Sequence, residues 1–256
     1  MTMKRFALSL AAAAVLVPGA VAFASGGEDV PPPHMHWHFS GPFGTYDKAA
    51  LQRGYKVYRE VCASCHSMKQ MSFRNLEGLG YDESQVKAIA AEYTVEDGPN
   101  DEGDMFERPA RPSDPFPAPF ANDKAAAFAN NGAVPPDLSL IIKGRHHGPD
   151  YVYGILTGYE DAPADAHLMP GQNWNKYMPG HVIAMAKPLS DGQVAYEDES
   201  PATVDQYARD VVQFLTWAGD PYMETRKYTG AKAIMFLLVF AGIMYGVKRK
   251  IWASVH

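Results

Sequence analysis

The sequence predicts a mostly α-helical domain with long loops, followed by one C-terminal transmembrane helix. Three observations lead there. Apolar residues recur three or four apart in several stretches, no alternating run is persuasive as a strand, and Ala233–Val247 holds no formal charge before Lys248-Arg249-Lys250. A chain of 256 residues, 46% of them hydrophobic, can build a buried core, and no internal repeat breaks it up.

The first segment reads as an export signal. Lys4 and Arg5 precede an apolar run from Phe6 to about Val17, and Ala22-Phe23-Ala24 precedes Ser25 as a cleavage triplet. The expected divisions are a cleaved signal peptide at residues 1–24, an exported domain at 25–227, a transmembrane helix at 228–248 and a short cytoplasmic tail at 249–256. Cleavage takes 23 basic residues to 21 against 29 acids, a charge of −8. Nucleic acid is thereby excluded as a partner, and a basic protein is favoured.

Residues 26–45, rich in Gly, Pro and His, suit an extended entry segment. A helix is expected from Asp47 to about Cys65, with Leu51, Tyr55, Tyr58 and Cys62 on one face. A second follows over Glu83–Glu92. Glu96–Asn122, with its prolines and acids, reads as one long loop, which in a compact domain is more often functional than idle. Lys124–Asn130 is a short helix, and Pro135-Pro136-Asp137-Leu138-Ser139 suits a turn leading into another helix. Helix is expected again at Tyr151–Leu156, loop over Ala162–His181, and a last helix of the exported domain at Thr203–Trp217.

At about 1.5 Å per residue, Ala233–Val247 alone falls short of the roughly 30 Å hydrocarbon layer. Lys232 can snorkel and extend the usable helix back to Tyr228, which puts an aromatic at each boundary with Trp252. The Lys248-Arg249-Lys250 cluster then stays on the cytoplasmic side and the bulk of the chain outside, in agreement with the export signal.

The two cysteines of the chain both sit in Cys62-Ala63-Ser64-Cys65-His66. In Cys-x-x-Cys-His the thiols are one helical turn apart, so each can add to one vinyl group on the same porphyrin edge while the next residue aims its imidazole at the iron. The expected cofactor is one covalently attached haem c, with His66 as an iron ligand. A zinc site would need further ligands at the right spacing, which His146-His147 does not supply. A dithiol or a disulfide leaves the adjacent His unexplained.

The second axial position favours methionine, because His/Met ligation raises the reduction potential. Of 12 methionines, Met68 and Met71 follow His66 too closely, and Met235 and Met244 belong to the anchor. Met169, Met178 and Met185 lie far downstream, and the residues leave Met178 and Met185 evenly matched. Arg145 suggests a partner for a haem propionate. His34, His36 and His38 alternate as a metal site might, but solvated residues of the entry segment are the simpler reading. The acids at Glu92–Asp104 and Glu197–Glu199, if near an exposed haem edge, would speed docking of a cationic acceptor.

In several ordered blocks the chain resembles the cytochrome c1 family in its bacterial form. They are Gly41–Gly44, Gln52–Tyr58 running into the haem motif, Asn131–Ser139, Asp150–Val152, Leu156–Tyr159 and Ile183–Leu189. The resemblance implies a class I c-type cytochrome helical fold, and Met185 as the distal iron ligand. It puts Asn131, Pro135 and Pro136 against the haem and Arg145 and Tyr151 near the propionates. It implies a single-pass subunit of the quinol–cytochrome c reductase (cytochrome bc1 complex) in the inner membrane, with its haem domain on the periplasmic side. The expected partners are cytochrome b, the Rieske iron–sulfur protein as donor and a soluble or anchored c-type cytochrome as acceptor, within a dimeric complex. No residue of the chain is expected to be catalytic. Some family members carry a further cysteine pair, and its absence here implies a distal loop held by packing alone. A haem enzyme with an open iron site, and a tethered cytochrome serving another oxidoreductase, are the rival readings.

Overall fold

Helix α1, Lys48–Glu60, starts where the Asp47 carboxylate accepts the N–H groups of Ala49 at 3.0 Å and Ala50 at 3.4 Å. Such a cap is worth about 1 kcal/mol. Its apolar face, Leu51, Tyr55, Val57 and Tyr58, is buried against α5, Val204–Gly219, which Thr203 caps. Gly54 lies where the two helices cross, and a methyl group there would overlap the backbone carbonyl of Asp210. The computed structural model describes residues 30–255, so the expected signal peptide at 1–24 lies outside the described residues.

The α1–α5 crossing is also pinned by charge. Arg53 donates from Nε and Nη2 to the carboxylate of Asp210 at 2.9 and 3.1 Å, and Asp210 is 0% exposed. Tyr196 and Gln206 complete its partners at 2.9 and 3.0 Å. A charge taken out of water needs this full set of donors.

Helix α1 ends at Glu60, earlier than the expected Cys65. Val61, at φ −118°, is the C-cap and still donates its N–H to the Val57 carbonyl, and Cys62–Ser64 then tightens into a 3-10 turn. An unexpected 3-10 helix, Phe73–Leu79, follows. Ser72 and Asn75 box its start and Gly80, at φ +100°, closes it. Helix α2, Glu83–Ala91, begins with a second capping box, Asp82 with Gln85.

The region expected as loop, Glu96–Asn122, shares a hairpin instead: β1, Thr94–Asp97, pairs antiparallel with β2, Phe106–Pro109. Four mostly exposed residues per strand give too little alternation to read, and Arg108 holds the pair by ion pairs to Asp97 and Asp114. Helix α3 is Asp123–Ala129. Past Pro135–Ser139 the chain forms turns, and helix resumes only in α4, Gly148–Thr157, with Pro149 in its first turn. The expected loop at 162–181 contains β3, Asn173–Trp174, which pairs with β4, Val182–Ile183.

The domain is therefore mostly helical with few short strands and long connections, its core lying between α1, α5 and the Phe73–Leu79 turn. Helix α6, Met223–Trp252, has 30 residues, about 45 Å at 1.5 Å each. It is long and apolar enough to cross a membrane, and every side chain from Ala231 to Val255 is exposed.

Candidate functional site

The site grows from the end of α1. The carbonyl of Cys62 accepts N–H groups from Cys65 at 3.1 Å and His66 at 2.8 Å, so one short turn holds both thiols and the imidazole. Both cysteines are part-buried. Burial, followed by the neighbouring Cys65, pushes the Cys62 thiol up to about 12, so it stays protonated at neutral pH. A thioether would carry no such ionisation penalty.

His66 is half-buried, and burial holds its imidazole below the usual histidine range, against the pull of Pro136 and Asp137. Its Nδ1 lies 2.8 Å from the Pro136 carbonyl oxygen. A carbonyl only accepts, so the proton sits on Nδ1 and the Nε2 lone pair is left for a metal.

Asp137 fixes this geometry from the next position. Its carboxylate accepts from the Ser67 hydroxyl and the Lys69 N–H, both at 2.8 Å, and from the Ser139 N–H at 2.9 Å. Burial acts to raise its pKa, but these donors outweigh burial and hold it below the ordinary carboxylate range. The Leu138 N–H adds a bond to the Ser67 carbonyl at 2.8 Å. The segment after His66 is thereby sewn to Pro136–Ser139.

The methionines lie in different surroundings. Met68 and Met71 are buried in the core. Met178 is half-buried, and its sulfur accepts the Tyr151 hydroxyl at 3.5 Å. Met185 is half-buried too, but it is held by its backbone: the carbonyl accepts from Tyr159 at 3.0 Å and Asn173 at 3.3 Å. Polar contacts thus help packing to hold the downstream loop, which corrects the expectation of packing alone. Met169 is exposed.

Asn131 takes φ +53° and packs on Gly171, where a Cβ would strike its side chain. Pro135 is half-buried and Pro136 exposed apart from its carbonyl bond. Arg145 is exposed, and among the described residues its one side-chain hydrogen bond is to the Gly144 carbonyl at 3.4 Å. Tyr151 is half-buried; burial raises its pKa and Arg145 works against that. His146 and His147 are exposed and stack edge to face. His34, His36 and His38 are exposed, and His34 pairs with Asp150 at 3.1 Å. Among the described residues no three His, Cys, Asp or Glu side chains gather as a metal site.

This donor set fits a porphyrin iron. Val61, Cys62, Ala63, Ile141 and Val152 pack on the core and stay partly exposed. Spacing arguments assign no role to Asp137, Tyr159 or Asn173. An Asp two residues before a Ser is a turn signal that points to Asp137. The other two act across the fold and leave no local signal.

A model described as the Cytochrome C1 family matches residues 37–255. The chain is 50% identical to the cytochrome b/c1 protein of Bradyrhizobium diazoefficiens, over 98% of this chain and 40% of that one. It thus spans less than half the length of that relative. It is 43% identical to the cytochrome c1 of Rhodospirillum rubrum, over 99% of this chain and 98% of the relative. It is 52% identical to the Solanum tuberosum protein named cytochrome c1-2, heme protein, mitochondrial, over 87% of this chain and 85% of the relative.

Proposed function

The chain belongs to the cytochrome c1 family, and from that premise we propose that it is the electron-relay subunit of a quinol–cytochrome c reductase. Family membership supports the coarse statement that it is a haem-carrying, electron-transferring subunit of the cytochrome bc1 complex, assembled with cytochrome b. The finer reading is that the chain takes single electrons from the Rieske iron–sulfur protein and gives them to a soluble or anchored c-type cytochrome. Helix α6 fits the membrane anchor of such a subunit. In the proposed orientation residues 25–227 lie on the periplasmic side, 228–248 span the inner membrane and 249–256 are cytoplasmic, within a dimeric complex.

One haem c, held covalently, would supply a one-electron iron couple. Cys62 and Cys65 would hold it as thioethers, their spacing set by the turn that closes on the Cys62 carbonyl. His66 would present Nε2, with its ring angle fixed through Nδ1 by Pro136. Met185 would present its sulfur from a backbone braced by Tyr159 and Asn173. Asn131, Pro135 and Pro136 would line the group, and Arg145 and Tyr151 would face its carboxylate edge. The chain needs no acid–base residue for this step, because electron transfer breaks no bond.

The observation that carries the proposal is the His66–Pro136 bond beside the paired thiols, which readies one imidazole nitrogen for iron. The experiment is purification from native membranes through a tag on this chain, followed by addition of quinol and then carbon monoxide. Co-purified cytochrome b and Rieske protein, a haem reduced by quinol and indifference to carbon monoxide are expected. Rapid carbon monoxide binding by the untreated protein would mean an open iron site, and a haem enzyme instead.

A further inference from the structure

Beside the start of α6 the domain holds up an uncharged loop. Residues 39–45 read Phe-Ser-Gly-Pro-Phe-Gly-Thr. The base of the loop is closed by Thr45 N–H to the His38 carbonyl at 3.1 Å and by Ser40 N–H to the Trp37 carbonyl at 3.0 Å. Gly41, at φ +73°, turns the tip, and there Phe43 is 92% exposed. One exposed ring is ordinary in itself; what marks this one is its place on a closed, uncharged loop beside the start of α6.

The loop is fastened to the anchor itself. Lys227, in the second turn of α6, donates from Nζ to the carbonyls of Phe39 at 2.7 Å and Gly44 at 2.9 Å. Those two carbonyls flank the tip. Counting down α6 from Lys227 to the first residue of the charge-free run, Ala233, gives about 9 Å of helix. Counted instead from Tyr228, where the span begins once Lys232 snorkels, the distance is about 1.5 Å, so the fastening falls between the inner and outer edges of an interfacial layer roughly 5–8 Å thick on each side. Tyr222 is 75% and Tyr228 64% exposed on the same stretch, and Lys232 lies over the Tyr228 ring at 3.9 Å. Amphipathic rings and a snorkelling lysine are the side chains that settle at this depth.

We propose that the 39–45 loop is a second membrane contact, with Phe43 seated in the lipid headgroup layer of the bilayer that α6 crosses. The proposal rests on α6 as a spanning anchor. With the loop fastened by Lys227, a contact at Phe43 would fix the tilt of the domain over the membrane, which one helix alone leaves free to swivel.

The test uses the whole complex reconstituted in phosphatidylcholine vesicles, spin-labelled at Phe43→Cys, or at Pro42→Cys should the first variant assemble poorly. Phe128→Cys, on the 94% exposed Phe128 of α3, and Ile243→Cys, inside the charge-free run of α6, serve as references. Relative access to oxygen against a water-soluble nickel chelate reads depth. The expected ratio at Phe43 falls between the low value at Phe128 and the high value at Ile243. A Phe43 ratio equal to that of Phe128 overturns the proposal. So does shielding from both reagents, which would mean that a neighbouring subunit covers the loop. A low ratio at Ile243 would instead remove the anchor, and the proposal with it.

Discussion

The Nδ1 of His66 and the carbonyl oxygen of Pro136 lie 2.8 Å apart, joining segments 70 residues apart in sequence. One hydrogen bond therefore sets both the tautomer and the angle of the imidazole, and the Asp137 carboxylate beside it fixes the peptide that makes it. The proposed iron ligand is shaped by residues that do not touch iron.

Asp137→Ala removes one acceptor that serves three donors. Hydrogen bonds to a charged group are worth about 1.5–3 kcal/mol, and a partly exposed site recovers some of that from water. Urea unfolding is expected to show a loss of about 2–3 kcal/mol, with a smaller loss for Asp137→Asn, which keeps an acceptor oxygen. Unchanged stability in both would contradict the sewn segment.

Met185→Leu is expected to abolish the weak far-red absorption of methionine-ligated ferric haem and to open the iron to carbon monoxide. Met178→Leu should leave both unchanged. Tyr159→Phe with Asn173→Ala removes both bonds to the Met185 carbonyl, so the band should weaken while the haem stays attached. Loss of the band in the Met178 variant alone would reassign the ligand.

Arg53→Ala strands a carboxylate with no exposed surface. Breaking a buried pair from one side costs about 3–5 kcal/mol, so a large drop in urea midpoint is expected. Asp210→Asn, which retains an acceptor for Tyr196 and Gln206, should cost less. A loss under about 1 kcal/mol for Arg53→Ala would mean that water reaches Asp210 after all.

Acid should unfold the domain, with a definite sign. Arg108 holds Asp114 below the ordinary carboxylate range, and Arg209 does the same for Asp205. Unfolded carboxylates titrate near about 4, so the contribution of each pair is present above that pH. It is lost as the pH falls through the depressed folded values. Thermal midpoints are expected to fall most steeply as the pH drops below about 4, and less steeply in Asp114→Asn. A midpoint that climbs as the pH falls from 5 to 3 would contradict the assignment.

Much of this architecture is written locally in the sequence. Leu51, Tyr55 and Tyr58 repeat at helical spacing, so α1 is legible, as are α2, α5 and the apolar stretch of α6. Cys62–His66 is legible because the proposed haem attachment would fix its spacing. The β1–β2 hairpin is not, because Arg108 holds it through two carboxylates and it buries little. The 3-10 helix at Phe73–Leu79 is announced only by its Ser72–Asn75 box. Helix α1 gives way early to the 3-10 turn at Cys62–Ser64, which no apolar pattern encodes. Met178 and Met185 look alike in sequence because what separates them, Tyr151 on one sulfur and Tyr159 with Asn173 on the other backbone, lies across the fold.

The most direct test of the account is the intact mass of the mature protein, measured after denaturation and removal of free haem. One haem added to the polypeptide, shifting to a peptide that contains Cys62 and Cys65 on digestion, is the expected result. A bare polypeptide mass with two alkylatable thiols would contradict it.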